Sequence, residues 1–318
     1  MRASYSAIST YQNCPLQYKY QYVDKIRVGP KAVFSFGNSV HEALRWFYDI
    51  PTADPRPLDD LLEYLETCWI GDGYTSKGEE TMYFYQAQGI LRCFHKHNVG
   101  EFRVPVALER KFLIDLGVCK MSGRIDRLDK DPDGGFEIID YKTSRRLPPA
   151  KILKTDLQLP IYHMAVSEVW GVEPETASFY YVLPNHKHSV TISKERIAEA
   201  KEEIARVVTA IEDKEFQPSK GPLCPWCDYI ERCPLWEGKK KPDKAKKGNG
   251  GGPGLELGEA VEELALLKKV VDQKVDRAWV LAKKLTKYAR EKGVDRVQGT
   301  DHVAVICEDG RVRCERDG

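Results

Sequence analysis

Residues 123–143, GRIDRLDKDPDGGFEIIDYKT, concentrate the groups in this chain most capable of chemistry. Side chains two apart on a strand share a face, so Asp140 and Lys142 point the same way. Asp126 lies on the preceding strand, and the turn signal DPDGG brings its carboxylate alongside Asp140. Two carboxylates and an amine on one surface suit a divalent cation bound through oxygen, with a water beside it. Such a metal acidifies its water and stabilises charge building on a phosphate in transit. Lys142 would orient that water or neutralise the charge. A carboxylate two residues before a lysine occurs six times, at Glu109, Asp140, Glu199, Glu212, Glu237 and Asp272, so spacing alone selects nothing. Asp140/Lys142 is set apart by a predicted strand, a partner Asp across a turn and flanking apolar residues.

Other residues could complete this site. His41 falls early in a predicted helix, in GNSVHEAL, and imidazole is a competent ligand for manganese or magnesium-type sites. Gln158 and Tyr162, four apart on a helix, share a face and could contact a phosphate or base, or be an ordinary polar face. Glu109 sits on the first predicted strand, opposite its apolar stripe, in a supporting or surface role. A second constellation is CPWCDYIERC, with Cys224, Cys227 and Cys233. Three thiolates need a fourth ligand, and Cys14 in YQNCPLQY is the natural candidate. Cys14, Cys224 and Cys233 each precede proline, which is common at iron–sulfur ligands, but four thiolates would also suit zinc. Either metal would staple the N-terminal helix to the end of the domain.

These groups need elements to hold them. The spacing predicts helices over 4–23 (broken near Pro15), 37–48 and 79–98. Strands follow at 106–116, 118–128 and 136–142, then a helix over 150–170 and strands at 177–183 and 189–192. On the first strand Val106, Leu108, Phe112, Ile114 and Leu116 share a face. On the second, Cys119, Met121 and Ile125 oppose Arg124 and Asp126. Ser193 caps a further helix to about 211. This order implies a mixed sheet with a right-handed crossover through helix 150–170. The run 238–254, with six lysines, six glycines and two prolines, reads as a flexible linker. Beyond it, 257–292 has helical periodicity and 297–314 reads as a small hairpin turning at EDG. The division is therefore 1–237, a linker at 238–254, and an extension over 255–318.

Composition narrows the class. At 318 residues, 42% hydrophobic and 31% charged, the chain is an ordinary soluble protein, large enough to bury a core without disulfides. No apolar run approaches the roughly 20 residues of a membrane helix, and MRASYSAIST lacks a secretory stretch, so a cytoplasmic location is expected. The net charge of +1 divides unevenly. Residues 239–318 carry 19 basic and 14 acidic groups, leaving 30 and 34 for 1–238. That is not the footprint of a DNA-coating protein, so contact with nucleic acid must come from local patches.

The ordered pieces SAISTYQNCPLQYKYQYV, GNSVHEAL, GRIDRLD, IIDYKT, QLPIY and CPWCDYIERC resemble the RecB-like branch of the PD-(D/E)XK nucleases. The likeness spans about residues 4–236. It is strongest to members with a four-cysteine cluster, the CRISPR-associated RecB-like exonucleases and the AddB nuclease domain. It implies an α/β, restriction-endonuclease-like αβββαβ core with a helical N-terminal region, an iron–sulfur staple and a C-terminal helical extension. It further implies that His41, Asp126, Asp140 and the Tyr141 carbonyl bind Mg²⁺ or Mn²⁺, with Lys142 the catalytic lysine. Gln158 and Tyr162 would support the site or the DNA, and Cys14, Cys224, Cys227 and Cys233 would hold a [4Fe–4S] cluster. The activity implied is hydrolysis of single-stranded DNA or DNA ends by an exonuclease, in repair, recombination or CRISPR adaptation. Tyr11, Tyr18 and Tyr22 could stack on unpaired bases. No G-x4-GK[ST] motif is present, so a helicase motor would be a separate protein, and CRISPR integration proteins are the other class of partner. The tail departs from the family pattern and its role and the oligomeric state stay open. The rival readings are a non-catalytic iron–sulfur DNA-binding adaptor and a zinc-stapled hydrolase acting on something other than nucleic acid.

Overall fold

The computed structural model describes residues 1–144, 147–148, 155–239, 281, 284–298, 302–306 and 312–316. The chain divides into two compact units, Met1–Lys247 and Gly248–Gly318. No helix among the described residues is long and apolar enough to cross a membrane.

The first unit opens with a short strand β1 (Arg2–Ala3) and helix α1 (Tyr5–Asn13), whose first turn is capped by Ser4 Oγ accepting from Ala7 N–H. Cys14 breaks the helix in extended geometry, and Pro15 starts α2 (Pro15–Tyr18) at the position where a missing N–H costs nothing. A π-helical turn over Lys19–Val23 ends this region. Helix α3 (Ala32–Tyr48) begins just after Pro30, five residues earlier than its periodicity suggests, and buries Phe36, Val40, Ala43, Leu44 and Phe47 on one stripe. Helix α4 (Leu58–Cys68), not anticipated from the sequence, buries Leu61, Leu62 and Leu65. Helix α5 (Lys77–Asn98) completes this layer, capped by Ser76.

Three antiparallel strands follow: β2 (Ala107–Asp115), β3 (Lys120–Lys130) and β4 (Phe136–Lys142). Helix α6 (Gln158–Trp170) then crosses to β5 (Thr176–Tyr181), which pairs parallel with β4. Strand β6 (His186–Val190) closes the sheet antiparallel to β5, and α7 (Lys194–Glu212) starts at the predicted Ser193 cap. Of the predicted helix 150–170, the part before residue 155 lies outside the described residues.

The result is a six-stranded mixed sheet, order β1-β3-β4-β5-β6, with β2 on the remaining edge of β3. Both faces are covered. Ile138, Ala177 and Phe179 face a core shared with α1, α6 and α7, whereas Ile139, Tyr141, Tyr180 and Val182 face a second core under α3, α4 and α5. Since β2 fills one edge of β3, β1 and β4 must share the other. β1 pairs there with Lys120 and Met121, and β4 with Arg127 to Lys130. The stretch 122–126 lies between those two pairings, and the candidate site residues gather at this gap.

One expected face is corrected, that of β2, whereas Cys119, Met121 and Ile125 on β3 share the first core as the alternation requires. Leu108 packs against the second core while Phe112 and Ile114 belong to the first, so β2 does not keep one stripe. The reversal coincides with Glu109, whose φ of 47° is left-handed and turns the strand. Val106, placed on the same stripe, is 44% exposed. On β3, Ile125 and Leu128 both enter the first core despite opposite parity, so that strand also turns, between Asp126 and Leu128. Tyr11 and Tyr18 are buried in the first core and pack edge-on against each other, which removes them as stacking platforms for bases.

In the second unit, β7 (Arg296–Gln298), β8 (His302–Ile306) and β9 (Val312–Arg316) form an antiparallel three-stranded sheet. The predicted hairpin is thus extended by one strand, and its EDG turn lies outside the described residues. Residues 284–292 are helical, while the earlier part of the predicted helix 257–292, Leu281 excepted, and the linker beyond Lys239 fall outside them too.

Candidate metal centre and its surroundings

The gap in β3 is held open by a substitution of partners. Beyond Arg127 and Ile139 the β3–β4 ladder stops, and the N–H of Tyr141 donates instead to Asp126 Oδ2 at 2.9 Å. The Asp126 side chain thereby does what a strand carbonyl would have done. On the facing helix α3, His41 places Nδ1 3.4 Å from the same Oδ2. Glu109, turned by its left-handed backbone, arrives from β2. The ligand atoms of His41, Glu109 and Asp126 all lie within 4.8 Å of one another.

Asp140 and Lys142 share a face, as strand periodicity requires. Lys142 Nζ is 2.7 Å from Asp140 Oδ2 and donates to Gln158 Oε1 at 2.6 Å, while its ammonium lies over the Phe179 ring. Gln158, at the start of α6, uses its amide fully. Its Nε2 donates to Asp140 Oδ1 at 2.7 Å and to the Tyr162 hydroxyl at 2.8 Å. The helix start is fixed in turn by Asp156, which accepts from Gln158 N–H and from the Tyr5 hydroxyl, each at 2.7 Å. Asp156 and Tyr5 carry no sequence signal beyond an Asp two residues before a helical Gln.

Burial sets the electrostatics. Asp126 is 8% exposed, and its carboxyl is pushed well above the usual carboxylate range, first by desolvation and then by the nearby Asp140 charge. Glu109 is pushed up to about 7 by burial and the Asp126 charge, with Arg124, 2.7 Å away, pulling the other way. Desolvation lowers the His41 pKa, which keeps its imidazole neutral and able to donate a lone pair. Acidic oxygens are thus crowded together, and the nearby cations, Lys142 and Arg124, pair directly with Asp140 and Glu109 and offset the Asp126 shift only in part. Two carboxylates with one neutral imidazole make a donor set suited to a hard divalent ion of the Mg²⁺ or Mn²⁺ kind.

The structure therefore brings His41, Asp126 and Glu109 into one group and sets Asp140 beside it, engaged by Lys142 and Gln158. Glu109, expected only to support the site, contributes a ligand atom to the group. Tyr141 supplies its N–H to Asp126 and buries its ring in the second core, 3.1 Å from Arg127 by its hydroxyl.

The cysteines form a separate place. Cys14, Cys224, Cys227 and Cys233 line one cavity with Trp236, and none of them forms a disulfide. Backbone N–H groups of Ser219 and Gly221 donate to the sulfurs of Cys14 and Cys224. The two ends of the unit are also tied without them, through Tyr11 hydroxyl to the Glu215 carbonyl at 2.6 Å and Tyr20 hydroxyl to that of Arg232 at 3.0 Å.

Comparison with known proteins follows the same outline. The PD-(D/E)XK nuclease superfamily matches residues 2–234. The Gene 69 protein of Mycobacterium phage D29 is 26% identical over 267 residues, covering 74% of this chain and 97% of the phage protein. Among solved structures, a candidate exonuclease from Eubacterium rectale superposes with a TM-score of 0.45 at 13% identity, over 71% of this chain and 86% of that one.

Proposed function

The chain belongs to the PD-(D/E)XK nuclease superfamily, and from that premise we propose that it is a divalent-metal-dependent DNA nuclease, working as an exonuclease on single strands or DNA ends. The observation that carries this reading is the convergence of His41, Glu109 and Asp126 within 4.8 Å, next to the Asp140–Lys142 pair. In it, His41, Glu109 and Asp126 hold Mg²⁺ or Mn²⁺, with Asp140 and the Tyr141 carbonyl completing the set. The ion would supply Lewis-acid stabilisation of the phosphate and acidify a water.

The remaining work belongs to the chain. Lys142 offers a positive charge beside the place where a phosphate would sit, and it orients the attacking water by hydrogen bonding. Asp140 and Gln158 fix its ammonium from two directions, so that little reorganisation is needed as charge develops. Tyr162 holds Gln158. Neutral His41 can donate its lone pair without first losing a proton.

In the same reading the four cysteines hold a [4Fe–4S] cluster that staples α1 and α2 to residues 224–233. The proline-flanked cysteines and the N–H groups aimed at two sulfurs support it. A tetrahedral zinc site would draw its sulfurs to about 3.8 Å of each other. Among the described residues, the four cysteines line one cavity without any three of their sulfurs lying within 4.8 Å of one another. The protein would act on DNA in the cytoplasm, in repair, recombination or CRISPR adaptation, beside a separate helicase or integration proteins.

The deciding experiment is cleavage of end-labelled single-stranded DNA with Mn²⁺ or Mg²⁺ by the wild type and by Lys142→Ala, both purified without oxygen. Cleavage by the wild type alone supports the reading. Equal cleavage by both removes Lys142 from it, and no cleavage by either intact protein leaves an adaptor that binds DNA without cutting it.

A further inference from the structure

Residues 23–34 are unusual for a surface segment. Val23, Val28, Val33 and Phe34 are all exposed, and Phe34 leaves 65% of its surface in water. Large apolar side chains crowded on one short stretch mark a surface that binds something. Cations are interleaved with them. Lys25 and Arg27 have no hydrogen-bond or ion-pair partner among the described residues, and Lys31, paired with Asp228 at 2.7 Å, lies near the Phe34 ring.

Of these, Lys25, Arg27, Val28, Lys31 and Phe34 line a groove of about 640 Å³. Its other wall is the exposed side of α1 and the turn after it, with Ser6, Thr10, Gln17 and Tyr22. Its floor is Asp228 and Tyr229, held to the segment by the Lys31 ion pair and by Tyr229 hydroxyl donating to the Ile26 carbonyl at 3.1 Å.

Both walls belong to elements that also carry or hold residues of the candidate metal centre. Phe34 and His41 are seven residues apart on α3, hence on nearly the same helix face and about 10 Å apart along the axis. On the other wall, Ser6 adjoins Tyr5, whose hydroxyl reaches Asp156 at the start of the helix carrying Gln158. At the near end, a Cβ built on Gly37 would touch Thr143 Oγ1 at 3.4 Å, one residue past Lys142.

Resting on the nuclease reading above, we infer that this groove receives the unpaired end of a DNA strand, with Phe34 as the platform on which a base stacks. Lys25 and Arg27 would take the phosphates. Stacking on an aromatic face is tolerant of sequence, and a pair of free cations suits a polyanion better than an apolar peptide. The roughly 10 Å between Phe34 and His41 along α3 places the stacked base within a few nucleotides of the bond to be cut.

The test is fluorescence anisotropy of a labelled oligothymidylate in EDTA, where cleavage is silent. Phe34→Ala should weaken binding about 5- to 150-fold, the span for one base–aromatic stack, and Phe34→Trp should restore it. The double substitution Lys25→Ala/Arg27→Ala should lower the slope of log K against log salt by about 1.4, at about 0.7 per phosphate on a single strand. All three positions are exposed, and unchanged thermal melting verifies that each variant is folded. Affinity and salt slope indifferent to every substitution would overturn the groove and assign its apolar patch to a protein partner, with the nuclease reading untouched. Binding that depends on Phe34, in a wild type that cleaves nothing once metal is added, would retire the nuclease reading and keep the groove.

Discussion

Asp126 Oδ2 accepts the N–H of Tyr141 at 2.9 Å, at the point where β3 and β4 cease to pair. One carboxylate therefore keeps two strands apart and faces the candidate metal centre. The two roles separate by substitution. Asp126→Asn keeps an oxygen for the Tyr141 N–H, whereas Asp126→Ala orphans a buried donor at a cost of about 1–3 kcal/mol. Urea unfolding should show the Ala variant less stable than the Asn variant by that amount. Both should lose at least ~100-fold in metal-dependent cleavage. Equal stability of the two would mean the hydrogen bond carries no weight.

Metal binding should depend on pH with a definite sign. Burial raises the Glu109 carboxyl to about 7 and moves Asp126 up as well, so the folded, metal-free protein holds these protons more tightly than the unfolded chain. Their contribution to stability is complete below about pH 4 and drains away as pH rises through about 7 and beyond. A divalent ion needs the ionised forms and must displace those protons. Thermal melting with and without Mn²⁺ should therefore show a larger gain at pH 8.5 than at pH 5.5. In Asp126→Asn the metal-free decline with pH should be shallower. A Mn²⁺ gain that is the same at both pH values would contradict this account.

In the proposed mechanism Gln158 would act as a positioning residue. Its amide bonds Lys142, Asp140 and Tyr162 at once. Gln158→Leu should lower kcat for DNA cleavage by roughly 10- to 100-fold, as loss of a supporting partner does, and leave DNA affinity near wild type. A merely structural role would instead reduce thermal stability and affinity together.

Gly123 faces Phe112 across the β2–β3 ladder, and a Cβ there would meet the ring at 2.5 Å. The ring is part of the first core and packs edge-on against Tyr162. Gly123→Ala should destabilise the protein by about 1–3 kcal/mol through overpacking. The pair Gly123→Ala/Phe112→Leu should recover part of that loss, and a neutral Gly123→Ala in calorimetry would refute the contact.

Anaerobically purified protein should be brown and contain about four irons per chain, bound through the four thiolates. Cys227→Ser should lose colour and iron and melt at lower temperature. The Tyr11 and Tyr20 ties to residues 215 and 232 remain, so the fold should loosen rather than collapse. A colourless wild type with one zinc would replace the cluster by a mononuclear site.

What the sequence settled by itself was local and periodic. Alternation along 136–142 forced Asp140 and Lys142 onto one face, and the strand has those bounds. Pro15 had to interrupt the first helix because its ring disfavours helical geometry at the residue before it, which leaves Cys14 extended, and Ser193 had to cap because its hydroxyl is the acceptor free to serve the first turn. What only the tertiary structure decided was where strand parity reverses. A left-handed Glu109 is not encoded by its residue type, since glutamate gains nothing there locally, and the surroundings must hold it. That turn brings its carboxylate to Asp126 and His41. The gap between β1 and β4 on one edge of β3 is likewise invisible to periodicity, because it arises from two strands far apart in sequence sharing one edge. The groups came from the chain, but their convergence came from long-range packing.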